Sequence, residues 1–149
     1  MPTKRIPAIR PRSSVAVQRA VRAAPPAHRL RAWALAAARA GSEITLRVVG
    51  AAEARTLNCA FRKRDYATNV LSFAYANRRG DIVLCHPVIA REARAQRKTL
   101  AAHYAHLVVH GVLHLHGLSH VRASDAERME RAEIRILRRL GVADPYAVK

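Results

Sequence analysis

Whatever fold this chain adopts must accommodate one long apolar helix. From Thr99 to about His116 the residues follow an apolar helical pattern that takes in Leu100, His103, Leu107, His110, Val112, Leu113 and His114. Gly117 is placed to end it. Six of the eight histidines lie between positions 103 and 120. Helix geometry separates positions 110 and 114 by about 40° and roughly 6 Å of rise, so both imidazoles project from one face and can share one ion. Gly117 can take the φ > 0 conformation that turns the chain back. That return brings His120 over the same face as a third ligand. Three neutral nitrogens at about 2.0–2.1 Å leave a fourth tetrahedral position open for water, the mark of a catalytic rather than a structural zinc. His103, His106 and His116 read as core or surface histidines. His106, four residues before His110, can also stand behind it as a supporting group.

The rest of the chain supplies short strands and helices in alternation. Val15, Val17 and Val21 suggest an opening strand, broken by Pro25 and Pro26. Residues 27–40 read as a helix with Leu30, Trp33, Leu35 and Ala37 towards a core, ended by Gly41. Glu43–Val49 is a β-branched strand. A helix over about 51–63, a strand Val70–Tyr75, a turn and a strand Asp81–Cys85 follow. Pro87 fits the first turn of a helix reaching about Gln96. Ser124 and Glu127 form a capping box for a last helix, which runs to Leu140 and is stopped by Gly141. Strands and helices so mixed imply an α+β class with a small sheet. Residues 1–13, with three prolines and four cations, read as a flexible basic tail, and 14–149 as a single domain.

Charge narrows the partners. The chain of 149 residues carries 27 Lys and Arg against 10 Asp and Glu, a formal charge of +17, and only four of the cations are lysine. Such a domain attracts polyanions over long range, and arginine suits bidentate phosphate contacts. The low aromatic fraction argues against an RNA platform of stacked rings. Cys59 and Cys85 stand outside any CxxC pair and read as small buried apolar side chains in a reducing compartment. No apolar run approaches the roughly 20 residues of a membrane span, and no secretory signal is visible, so the expected location is the cytoplasm, away from membranes.

A second constellation runs from Leu57 to Phe73 (LNCAFRKRDYATNVLSF), from a helix end through a polar turn into a strand. The consecutive cations Arg62, Lys63 and Arg64 can hold phosphate. Asp65, Thr68 and Asn69 are suited to hold a turn by side-chain to backbone bonds.

The segments LNxxFRxxDxATNVLSF, GDIVLC and HGVLHLHGLSH, in that order, resemble the YbeY family of bacterial endoribonucleases, also called rRNA maturation factors, and the ending Leu140-Gly141 … Asp144-Pro145-Tyr146 agrees. The resemblance covers about residues 15–147. It implies a small mixed sheet of about four strands packed with about five helices, the metal-binding helix being central. It implies a single-strand-specific endoribonuclease that acts in 16S rRNA 3′-end maturation and ribosome quality control. It also implies association with the small ribosomal subunit and its proteins and with an assembly GTPase. The family's three ligands fall on His110, His114 and His120, with one Zn2+ per chain, and its functional arginine falls on Arg62. Ser119 stands where the family pattern has an acid; it can accept a hydrogen bond there, without charge.

On this reading zinc lowers the pKa of its water towards about 7 or polarises a phosphoryl oxygen, and Arg62 steadies the extra charge of the transition state. Two other readings share the residues. The histidine spacing equals the HExxHxxGxxH of metzincin proteases, but Gly111 replaces the acid that serves there as general base. A non-catalytic, zinc-containing RNA-binding assembly factor is the other.

Overall fold

The computed structural model describes residues 12–76, 78–118 and 122–147. Strands β1 (Ser14–Arg19), β2 (Glu43–Val49), β3 (Val70–Ala76) and β4 (Arg79–Cys85) form one sheet in the order β1-β2-β4-β3. β1, β2 and β4 are parallel; β3 runs antiparallel to β4 and forms one edge. Helices α1 (Ala27–Ala37), α2 (Ala51–Arg62), α3 (His86–Ala95), α4 (Leu100–Leu115) and α5 (Ala123–Arg139) complete the described residues. This is the α+β arrangement expected, with a mixed four-stranded sheet and five helices.

Strand alternation sorts the apolar side chains onto two faces. Ile44, Leu46 and Val48 of β2 and Ile82 and Leu84 of β4 join the main cluster with α1, α4 and α5. Val49, Leu71, Val83 and Cys85 face the other way, against Ala54 of α2 and Val88 of α3. α4 is the central helix: it touches α1, α3, α5, β3 and β4, and Tyr104, Ala105, Val108, Val109 and Val112 are fully buried. Each large apolar side chain so buried contributes about 1.5–3 kcal/mol. Burial also raises the Tyr104 hydroxyl pKa and lowers that of His86, so a neutral hydroxyl and a neutral ring share the hydrogen bond between Tyr104 Oη and His86 Nδ1 at 2.6 Å.

Several sequence expectations shift. β1 stops at Arg19 and leaves Val21 outside it. α1 ends at Ala37 because Ala38 turns extended, so Gly41, at φ 80°, serves the turn into β2 instead. Leu35 is 43 % exposed, since the buried stripe of α1 is Leu30, Trp33, Ala34 and Ala37 and Leu35 lies off it. α5 begins at Ala123, which puts Ser124 inside the first turn; the cap position is Arg122, without a side-chain bond. Cys85 is buried, but Cys59 is exposed on α2. Of the tail expected over 1–13, residues 1–11 lie outside the described residues, and Ser13 is pinned: its Oγ donates to Arg39 O at 2.9 Å and accepts from Ser42 N at 3.2 Å.

Gly80 of β4 sits tightly between the backbone of β3 and Leu115 of α4. A Cβ there would lie 2.4 Å from Phe73 O and 2.7 Å from Leu115 Cδ2. A backbone oxygen cannot move aside as a side chain can, so Gly80→Ala is expected to destabilise the protein by about 1–3 kcal/mol, or more. Urea unfolding checks this, and an unchanged midpoint would show that β3 yields freely at this point.

Candidate metal centre and catalytic pocket

Helical spacing delivers the histidines as expected. Thr99 caps α4, its Oγ1 accepting from Ala102 N at 3.0 Å. Within the helix, His106, His110 and His114 follow at four-residue steps on one face, with ring centroids 6.3 Å and then 5.5 Å apart. At the far end Gly117 takes φ 88°. Leu118 N then donates to Leu113 O at 3.1 Å, and Gly117 N to His114 O at 3.0 Å. That pair of bonds is a Schellman motif, and it reverses the chain as the glycine predicts. Ser119 and His120 lie outside the described residues. Among the described residues no group of three or more His, Cys, Asp or Glu side chains is arranged to hold a metal ion; the His110 and His114 rings lie side by side.

A carboxylate absent from the sequence reading stands behind this face. Glu133 of α5 is fully buried. Its Oε1 accepts from His110 Nδ1 at 2.6 Å, and its Oε2 from His106 Nε2 at 2.9 Å and from the Tyr146 hydroxyl at 2.5 Å. Burial pushes the Glu133 carboxyl up, but the bonds from His106, His110 and Tyr146 outweigh it and hold the pKa at about 2. The stability contributed by the ionised form is therefore complete above the ordinary 4.5 and lost as pH falls through about 2. A carboxylate can only accept, so it fixes a proton of His110 on Nδ1, and in the neutral ring Nε2 is then the nitrogen able to bind a metal. Carboxylate, histidine and metal in that order form a common support for catalytic zinc. The donor chemistry present thus fits such an ion. His106 is joined to His110 by the shared Glu133 carboxylate as well as by the edge contact of their rings. His103 and His116 are engaged elsewhere: His103 Nε2 meets Glu92 Oε1 at 3.0 Å, and His116 Nε2 accepts from Arg39 N at 3.1 Å.

His110 and His114 open onto a cavity of about 460 Å³ that Arg62, Asn69, Val70, Leu71 and Ser72 also line. Arg62 is the last residue of α2. Its Nη2 donates to Ser72 O at 2.9 Å, across the open edge of β3, and its guanidinium lies 5.5 Å over the Phe73 ring. Of the cationic triplet only Arg62 lines this cavity. Lys63 takes the left-handed position, φ 56°, that ends α2, and Arg64 Nη1 lies 3.3 Å from the Tyr66 hydroxyl. The turn is held partly as expected. Asn69 Oδ1 accepts from Val70 N at 2.7 Å, and Asn58 Nδ2 donates to Tyr66 O at 2.8 Å. Asp65 instead pairs with Arg55 at 2.6 Å. Asn69 is fixed further by donating to both Glu92 oxygens at 3.1 and 3.3 Å.

Asn69, Ser72 and Glu133 escaped the sequence reading as site residues. For Glu133 a signal existed: with Met129, Ala132, Ile136 and Leu137 it occupies the buried stripe of α5, and an acid at an apolar helical position requires a partner. Gly111, in the position of the protease acid, faces the sheet. A Cβ there would lie 3.0 Å from Ile82 Cγ2 and 3.3 Å from Ser72 Oγ. A side chain at this helix position would crowd Ile82 and Ser72, and glycine itself offers no general base, which counts against a metzincin-like protease.

Comparison with known proteins places the chain in a family. A profile of the family described as Endoribonuclease YbeY matches residues 16–141. A protein of Aromatoleum aromaticum named endoribonuclease YbeY is 51% identical over 144 residues, covering 91% of this chain and 94% of that relative. Its namesake in Bordetella pertussis is 55% identical over 136 residues, covering 81% and 87%. For one in Azoarcus sp., 53% identical over 136 residues, the alignment covers 84% of this chain and 54% of the longer relative. A solution structure from Thermotoga maritima shares the fold, with a TM-score of 0.57 at 19% identity, over 91% of this chain and 100% of the other. With the profile running through every residue that lines the cavity, and through Glu133 behind it, the chain belongs to the YbeY endoribonuclease family.

Proposed function

We propose that this protein cuts single-stranded RNA at a zinc site formed by His110, His114 and His120, and that it acts in the cytoplasm on the 3′ end of 16S rRNA. Family membership makes it an endoribonuclease, an RNA-cleaving hydrolase. The observation that carries the finer reading is the convergence of two imidazoles and one guanidinium on a single cavity, with a buried carboxylate fixing one imidazole.

When bound, zinc supplies Lewis-acid charge to the phosphate and lowers the pKa of water. Glu133 orients His110 and adds to its basicity. Arg62, anchored by Ser72 O, presents the rest of its five-donor fork to phosphate oxygens and steadies the charge that grows on them. Asn69, clamped by Glu92, and Ser72 supply fixed polar groups along the same wall. Arg39, Arg128, Arg131 and Arg135 line a second cavity and, with the overall charge, favour docking on a polyanion. The small ribosomal subunit, its proteins and an assembly GTPase are the partners this reading implies.

The test is metal content of the purified protein, paired with cleavage of a single-stranded RNA before and after chelation. The expected outcome is about one zinc per chain, with cutting lost on chelation and restored by zinc. Cutting that ignores the chelator, or zinc without cutting, would overturn the reading in favour of a non-catalytic assembly factor.

A further inference from the structure

Phe61 is an aromatic side chain whose exposure the fold does not explain. It is 62% exposed, on the last turn of α2 beside Arg62. The other exposed aromatic rings each have an engaged hydroxyl: Tyr66 with Arg64, Tyr75 with Asp81 and Tyr146 with Glu133. Phe61 has no polar handle, so leaving it in water costs burial energy with no hydrogen bond in return.

Its position is fixed relative to the cavity. The Phe61 and Phe73 rings meet edge to face, with centroids 5.2 Å apart. Phe73 carries the Arg62 guanidinium at 5.5 Å, and Arg62 lines the cavity with His110 and His114. The two rings and the guanidinium therefore form one assembly at the rim.

We infer that Phe61 is a base-stacking subsite: an unpaired nucleobase lies on its open ring while the adjoining phosphate meets Arg62. The occupant follows from the surroundings. A flat apolar ring directly beside a phosphate-seeking cation, with Lys63 and Arg64 next in the chain, matches the alternation of base and phosphate along an RNA strand. One exposed ring is not a platform, so the low aromatic content is no obstacle. The subsite also favours single strands, because a base inside a duplex has both faces covered. This inference rests on the RNA-cleaving reading above and adds to it the residue that grips the strand.

The test uses the full chain loaded with zinc and two strands of equal length, a single-stranded RNA and the same ribose-phosphate backbone with abasic positions around the cut. Equilibrium binding is followed by anisotropy and cutting is recorded in parallel. Phe61→Ala should weaken binding of the base-bearing strand roughly 5- to 100-fold and leave the abasic strand as wild type binds it, while Phe61→Tyr restores affinity. Equal weakening on both strands, or no weakening on either, would overturn the subsite. Wild-type cutting reports on the underlying reading alone. A chain that discriminates the two strands through Phe61 but cuts neither keeps the subsite and loses the nuclease.

Discussion

Replacing Glu133 by glutamine should weaken zinc binding about 10-fold, and replacing it by alanine towards 100-fold, the range found when a group supporting a metal ligand is removed. The cause is the proton of His110. With a carboxylate 2.6 Å from Nδ1, that nitrogen must donate, so the neutral ring offers Nε2 to the metal. Glutamine can still turn its oxygen to His110, but its amide nitrogen then faces His106 Nε2 and the Tyr146 hydroxyl, which both now donate to Oε2. One of these groups must reverse or lose its bond, and any reversal at His110 puts a proton on the ligating nitrogen. Alanine removes the constraint on the ring altogether. It also takes away the shorter of the two bonds of the His106 donor, on a side chain only 13% exposed, and leaves it the Tyr146 hydroxyl at 3.2 Å. Competition with a chromophoric chelator measures the affinity, and urea unfolding separates it from stability. A folded Glu133→Gln protein with wild-type affinity would show that the carboxylate serves the core alone.

How far the site was legible in the sequence follows from where each part of it is encoded. α4 writes its own chemistry into local spacing: a four-residue step puts His110 and His114 on one face, and Gly117 needs only its positive φ to turn the chain. The strands were legible for the same reason, through alternation of β-branched residues. What escaped was long-range. Glu133 reaches His110 from 23 residues away in the chain, and only the packing of α5 on α4 aims it there. Asn69 read as a turn residue because its bond to Val70 N is local; its clamp by Glu92 of α3 is not. Gly111 read as the absence of a base, and the structure supplies the reason: Ile82 of β4 and Ser72 of β3 leave no room beside the helix. The capping box at Ser124 failed because α5 begins at Ala123, with the cap position at Arg122, two residues before the expected one. Local rules cannot see where a preceding element ends.

Arg62→Ala should lower kcat for RNA cleavage by about 10²- to 10³-fold, the loss typical when one donor to developing charge is removed, while KM changes far less. A phosphate in the ground state already finds long-range attraction from a chain of formal charge +17, so one guanidinium adds little to encounter or holding. The pentavalent transition state is different. Its added charge sits on specific oxygens, and Arg62 is aimed at one place because Ser72 O holds Nη2 at 2.9 Å and Phe73 lies under the guanidinium. Preorganised donors of this kind need no rearrangement as the charge grows. Lysine should recover little, since a single ammonium cannot both bond Ser72 O in the same geometry and present a planar pair of donors. Steady-state kinetics on one single-stranded RNA, with binding measured separately, divides the effect. Equal losses in binding and turnover would reduce Arg62 to an anchor for the strand. A loss confined to kcat assigns it to the transition state and explains why α2 must end where β3 exposes its edge to the histidine face of α4.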